Sequence, residues 1–265
     1  MGNKESSQRI APHPAIGRLV EQCVLPQMVD SHRQLGLRSP YARPAFCPPV
    51  LSPEAVERYL ATLLKNHTED SLREAEDLLC EGLSFRELCL GLLAPAARLL
   101  GERWVDDTLS FSEVTLASWQ LESVLRQLGS RFEPTQARRT MRGTLLVALL
   151  PGAQHTFGAR MLLSFFRQSG WDAQLLQARD PGHMLQVLRS RQLDVLALSL
   201  SQREDLVELA PLVEAARAAS LKPGLRILLG GRAVSENPGL AQASGAAVCT
   251  GEADQAVALA AHPAN

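Results

Sequence analysis

Two periodicities divide the chain. Between residues 52 and 131 the apolar positions recur three and four apart, the spacing of helices with one buried face. Ser52-Pro53 opens the first, with proline at the first helical position, and Val56, Tyr59, Leu60, Leu63 and Leu64 form its stripe. Ser71-x-x-Glu74 reads as a capping box opening a second, followed by Ala75, Leu78 and Leu79. Ser84-x-x-Glu87 opens a third through Leu88, Leu92 and Leu93, and Pro95 predicts a kink before it runs on to Trp104. Ser110-x-x-Glu113 opens a fourth, with Val114, Ala117, Leu121, Val124, Leu125 and Leu128. Amphipathic helices joined by short loops predict a four-helix bundle.

From residue 143 short apolar runs at 145–150, 173–176, 195–200, 226–229 and 246–249 alternate with helical stretches at 157–168, 182–190, 206–219 and 254–261. Continuous apolar runs are the mark of strands buried on both faces. Their alternation with helices predicts an α/β domain, a flavodoxin-like (Rossmann-type) five-stranded parallel sheet. Such sheets bind ligands beyond the carboxyl ends of the strands, near the switch point between strands 1 and 3. The polar stretch 132–142 reads as a linker. Residues 1–51 read as an extension, with one helical pattern at 16–35 and a proline-rich run at 40–53. The expected organisation is therefore an extension (1–51), a helical cap (52–131), a linker (132–142) and an α/β domain (143–262).

Composition narrows the function. Hydrophobic residues make up 46% of the chain, enough for a sizeable core. The net charge of −1 gives no basic face for nucleic acid, and the most basic run, Arg138-Arg139 with Arg142, falls in the linker. The five cysteines are scattered without a CxxC pair, so neither a disulfide framework nor a zinc site is expected. No apolar run reaches the ~18 residues of a membrane span, and the first residues lack a signal-peptide core, so a cytoplasmic protein is expected. Asp106-Asp107 read as solvated helix flanks rather than an acid–base pair, and Trp119 and Trp171 as core residues. No catalytic set stands out, and a non-enzymatic role is expected.

The candidate chemistry lies in the loop after strand 1, where Gly152, His155, Thr156, Phe157 and Gly158 follow one another closely. A neutral imidazole at the carboxyl edge of a sheet can ligate a transition metal. Alone this is weak, because loop histidines are common. Spacing adds to it. After His155-x-x-Gly158, Ser199-Leu200-Ser201 follows 40 residues on (159–198 intervene), and Gly230-Gly231 follows Ser201 after 28 (202–229). Together these resemble the cobalamin-binding family signature, Asp-x-His-x-x-Gly followed by Ser-x-Leu and Gly-Gly.

The resemblance implies a cobalt corrinoid with His155 as axial ligand. It implies that the Ser199 hydroxyl meets the dimethylbenzimidazole nitrogen displaced from cobalt. Gly230-Gly231 would let backbone approach the nucleotide tail, with Thr250 and Gly251 as the last wall of the tail pocket. Two positions depart from the pattern. Ala153 stands where the family has the aspartate that supports the histidine, and Ser201 stands where it has leucine. The missing carboxylate should weaken the histidine–cobalt bond.

A helical cap ahead of such a domain resembles methionine synthase, corrinoid methyltransferase proteins and the B12-dependent light-sensing repressors. In those repressors a tryptophan covers the upper corrin face and a Glu-His pair follows. Here Trp104 matches the tryptophan, and Val114-Thr115 stand where the pair would be. The wording Trp-x-Asp-Asp-x-x-Ser-Phe-x-x-Val-Thr resembles the AerR/PpaA antirepressors of photosynthetic bacteria. That resemblance implies an adenosylcobalamin light sensor acting on a PpsR/CrtJ-type transcriptional repressor; a monomer with an indirect DNA contact and no membrane partner is expected. Two other readings stay open: a corrinoid methyl carrier for a methyltransferase, and a heme-binding redox sensor like the domain of AppA.

Overall fold

The computed structural model describes residues 51–65, 67–133, 142–248 and 253–261. The helical pattern at 16–35, residues 134–141 of the expected linker, and the candidate wall residues Thr250 and Gly251 lie outside the described residues.

The helical half begins with α1 (Pro53–Leu64), whose first turn is held by the Ser52 hydroxyl accepting from the Ala55 N–H. Next comes α2 (Thr68–Cys80). It starts ahead of the expected capping box, so the Ser71-x-x-Glu74 cap is not formed. Ser71 is instead buried inside the helix, its hydroxyl donating to the His67 carbonyl and to Gln120. The capping boxes at Ser84 and Ser110 are both complete, with hydroxyl and carboxylate each satisfying an end N–H. Ser84 opens α3 (Phe85–Leu88), which widens into a π-helical turn (Cys89–Leu93) and continues as α4 (Ala94–Val105). In place of the predicted kink, Ala94 donates to the Cys89 carbonyl five residues back, just before Pro95. A proline has no N–H and its ring crowds the preceding turn, so a widened turn relieves what a regular helix could not. Ser110 opens the long helix α5 (Phe111–Phe132).

The second half alternates β1 (Thr144–Leu149), α6 (Phe157–Gln168), β2 (Asp172–Gln177), α7 (Pro181–Ser190) and β3 (Val195–Ser199). A 3₁₀ turn (Arg203–Leu206) and α8 (Leu209–Ala219) replace the single helix expected at 206–219. Then follow β4 (Arg226–Gly230), the short helices α9 (Arg232–Glu236) and α10 (Pro238–Gln242), β5 (Ala247–Val248) and α11 (Ala253–Ala261). All pairings are parallel and the strand order is β2-β1-β3-β4-β5, the flavodoxin-like order. Four strands are full; the fifth contributes two residues beside β4.

The two faces of the sheet are packed differently. Leu146, Leu196, Leu198, Leu200 and Leu229 face α7 and α8 among further leucines. On the other face, against α6 and α11, the buried residues include Ala153, Ala159, Ala197, Ala256 and Ala260. Trp171 closes that layer at 1% exposure, as expected, with its ring edge-on to Phe166 at 6.3 Å. Helix α6 serves both halves. Phe166 packs on the sheet, while Met161 and Phe165 enter the core of the helical half, where Phe165 meets Phe85 edge-on at 6.3 Å. Trp119 departs from expectation: it is 60% exposed. The buried stripe of α5 runs through Ala117, Leu121, Val124, Leu125 and Leu128, and position 119 falls on the opposite side.

Candidate functional site

The residues singled out by spacing converge at the carboxyl edge of the sheet. Leu149, the last residue of β1, pairs with Ser199, the last of β3, and Ser199 pairs with Gly230, the last of β4. The three motif segments thus leave adjacent strands from one row. The fold brings them together because a parallel sheet sends every strand out of the same edge, and the switch point lies between β1 and β3.

The loop from Pro151 to Thr156 carries His155 from β1 into α6. Gly152 bends it at φ +78°, a left-handed conformation suited to glycine. Ala153 is buried, and its carbonyl accepts from Gln177 at the end of β2 at 3.4 Å. This ties the loop to the sheet and leaves His155 exposed beyond it. The protein surrounding the imidazole and then the nearby Arg232 guanidinium lower its pKa below the usual histidine value. Both effects favour the neutral form, the form that binds a metal.

Around it the backbone is left bare. Gly158 lies in the first turn of α6, and a Cβ there would meet nothing within 4 Å. Gly231 is the opposite case. Its φ is +98°, and a Cβ would come within 2.4 Å of the Leu200 carbonyl oxygen. Glycine here lets the end of β4 close onto β3, with Leu200 N–H donating to the Gly230 carbonyl at 2.9 Å. The next residue, Ser201, gives its backbone N–H to Asp205 at 3.1 Å, but its buried hydroxyl has no hydrogen-bond partner. A hydroxyl buried without a partner is costly, and a polar ligand group would satisfy it. Ser199 is half-buried one strand position before Leu200. An orphan hydroxyl, an exposed imidazole and an open Gly158 suit a flat, metal-bearing ligand with a polar tail.

The helical half is joined to this edge through the start of α6. Thr156 donates its hydroxyl to Glu122 of α5, and Arg160 pairs with the same carboxylate at 3.3 Å. Gly129 of α5 lies so close to α6 that a Cβ would sit 3.0 Å from the Ser164 hydroxyl. Trp104 is half-buried in the last turn of α4. Val114 is half-buried, and Thr115 is exposed with its hydroxyl turned back to the Phe111 carbonyl at 2.7 Å. Phe157 is half-buried and packs against the bundle core. Glu122 and Arg232 were not foreseen, since both act across long sequence distances and neither has a local pattern.

The chain matches two family models, both described as a B12 binding domain, over residues 143–261 and 55–128. It is 24% identical over 166 residues to an uncharacterized 20.5 kDa protein in the bchF-crtJ intergenic region of Rhodobacter capsulatus, covering 63% of this chain and 86% of that one. The fold is similar to the monomethylamine corrinoid protein of Methanosarcina barkeri, with a TM-score of 0.65 at 12% identity over 78% of this chain and 97% of that one. A cobalamin-binding protein of Desulfitobacterium hafniense DCB-2 matches at 17% identity over 77% and 96% of the two chains, with a TM-score of 0.40.

Proposed function

This chain belongs to the B12-binding domain family and has cobalamin as its cofactor, and we propose that it is a light sensor and transcriptional antirepressor rather than an enzyme. The observation that carries the placement of the cofactor is the row Leu149, Ser199, Gly230, from which His155, Ser201 and Gly231 all depart at one edge of the sheet. His155 would hold the cobalt. Ser199 and Ser201 would meet the nucleotide tail, Gly230 and Gly231 would admit it against backbone, and Gly152, Thr156, Phe157 and Gly158 would frame the lower side. Trp104, Val114 and Thr115 would cover the upper side. In adenosylcobalamin, the form we assign to the dark state, the cofactor supplies a cobalt–carbon bond that light can break.

The chain's own part is to hold the lower ligand and to sense the upper face. Ala153 provides no carboxylate to support His155, which would leave the imidazole neutral and its hold on a metal weak. That suits a signal better than methyl transfer, where a carrier needs to hand protons to and from its histidine. Glu122 joins α5 to Thr156 and Arg160 beside His155, so a change at the upper face is felt by the interface of the two halves. The partner we assign is a repressor of the PpsR/CrtJ type. Support comes from the Trp104–Thr115 wording and from similarity to a protein of the bchF-crtJ region.

The test is a visible spectrum of the full chain with adenosylcobalamin, in the dark and after illumination, followed by a repressor–DNA release assay with each form. The expected result is a protein-dependent spectrum that changes with light and is altered by His155→Ala, with only one of the two forms releasing the repressor. Equal action of dark and illuminated forms would sink the light-sensing role. A Soret band from protein made without cobalamin would favour the heme reading.

A further inference from the structure

Helix α5 has a second face whose two halves are treated differently. In its C-terminal half that face is covered by α6, through Glu122 to Thr156 and Arg160 and through Gly129 against Ser164. Followed toward the N-terminus at helical spacing, the same face carries Trp119, Thr115 and Phe111. Trp119 is 60% exposed and Phe111 38%. Trp119 is three residues, about 4.5 Å of helix rise, from Glu122. Glu122 bonds the residue next to His155. The bare half of the face therefore continues the α5–α6 interface out over the carboxyl ends of the strands.

Resting on the cobalamin reading above, we propose that Trp119 is an additional wall of the corrin site, its indole packed against the macrocycle beside Trp104. The observations favour this occupant over a protein. The apolar members of the patch on α5 are Phe111, Leu116 (45% exposed) and Trp119, interrupted by Thr115 and Ser118, on the order of a few hundred Å². A specific protein interface needs about 1,000 Å² or more. A large aromatic left in water beside a site built for a flat apolar ring gains contact area when that ring arrives. The face also ends on the interface that holds the loop of His155, so a ring seated on His155 lies within reach of α5.

The test compares the full chain with its Trp119→Phe and Trp119→Ala variants, using acrylamide quenching of tryptophan emission with and without saturating adenosylcobalamin in the dark. The emission contributed by Trp119, taken as wild type minus Trp119→Phe, should be accessible to acrylamide without cofactor and lost on binding. Trp119→Ala should weaken adenosylcobalamin binding about tenfold, with Trp119→Phe retaining part of the affinity. Thermal unfolding of the cofactor-free protein should not change, because the side chain is exposed. If binding changes the cobalamin spectrum through His155 while Trp119 emission stays accessible, this proposal is overturned and the cobalamin reading stands. If Trp119→Ala instead dissolves a dimer seen by sedimentation, a second copy covers the face and the proposal is again overturned. Absence of any protein-dependent cobalamin spectrum would overturn the underlying reading itself.

Discussion

Two glycines at the strand edge should answer oppositely to the same substitution. Gly158 sits in the first turn of α6, and a Cβ there meets nothing within 4 Å. The fold has no steric use for glycine at this point, and alanine in a helix is favoured by about 0.5–1 kcal/mol. Gly158→Ala should therefore leave the cofactor-free protein as stable as wild type or more so by that amount. Gly231 has φ 98° and ψ 176°, a region almost confined to glycine, which costs another residue about 1–3 kcal/mol. Its Cβ would also press within 2.4 Å of the Leu200 carbonyl oxygen, and forced contacts of this kind cost about 1–3 kcal/mol more. The sum, about 2–6 kcal/mol, is a large share of the ~5–15 kcal/mol that holds a typical domain. Urea unfolding of the cofactor-free variants reads this directly: the Gly231→Ala midpoint should fall and the Gly158→Ala midpoint should not. Titration with cobalamin then reads the ligand. If a corrin edge lies against the start of α6, the added methyl at 158 should weaken binding by about 5- to 150-fold, the equivalent of 1–3 kcal/mol of overpacking. Wild-type affinity in Gly158→Ala would remove the first turn of α6 from the site. Undiminished stability in Gly231→Ala would refute the close approach of β4 to Leu200.

Removing Glu122 and Arg160 singly and together should reveal a coupling of about 0.5–3 kcal/mol in unfolding free energy, since they meet across the two halves at 3.3 Å; strict additivity would argue against that contact. Ser110→Ala removes the hydroxyl that accepts from Glu113 N–H and should cost about 1 kcal/mol, measured by chemical unfolding. Asp194 contributes to the pH dependence: burial raises its pKa, but Lys222 and the Thr144 N–H and hydroxyl outweigh this and leave it below the usual carboxylate value. A depressed carboxylate stabilises the fold above its unfolded pKa of about 3.9, and that contribution is lost as pH falls through the lower folded value. Asp194→Asn should therefore be less stable at neutral pH, with a shallower loss below about pH 4 when unfolding is followed across pH.

The α/β half was legible because its signals are local. Strands buried on both faces read as unbroken apolar runs, and helix α6 was expected at the residues where it occurs, Phe157–Gln168. The row of Leu149, Ser199 and Gly230 was legible for a different reason. In a parallel sheet the spacing between motifs is the spacing between strand ends, so three segments far apart in sequence leave from one edge. Ser84 and Ser110 were read correctly as caps because their partners lie three residues away. Ser71-x-x-Glu74 has the same wording, but Gln120, 49 residues distant, takes the hydroxyl into the core. Trp119 was misplaced by its residue type. The phase of the α5 stripe, from Ala117 to Leu128, already put position 119 on the far side.

What the sequence could not show is how the halves are joined. Glu122 is 34 residues from Thr156, and no pattern links them. Yet this one carboxylate meets the neighbour of His155 and, through Arg160, the helix that enters both cores. A displacement of the loop after β1 would stretch or release these bonds, because the hydrogen bond from Gln177 to the Ala153 carbonyl pins the loop's other end to the sheet. Such a displacement would be passed to α5 through Glu122. The helical half and the α/β half are thus connected through the contacts of a single helix.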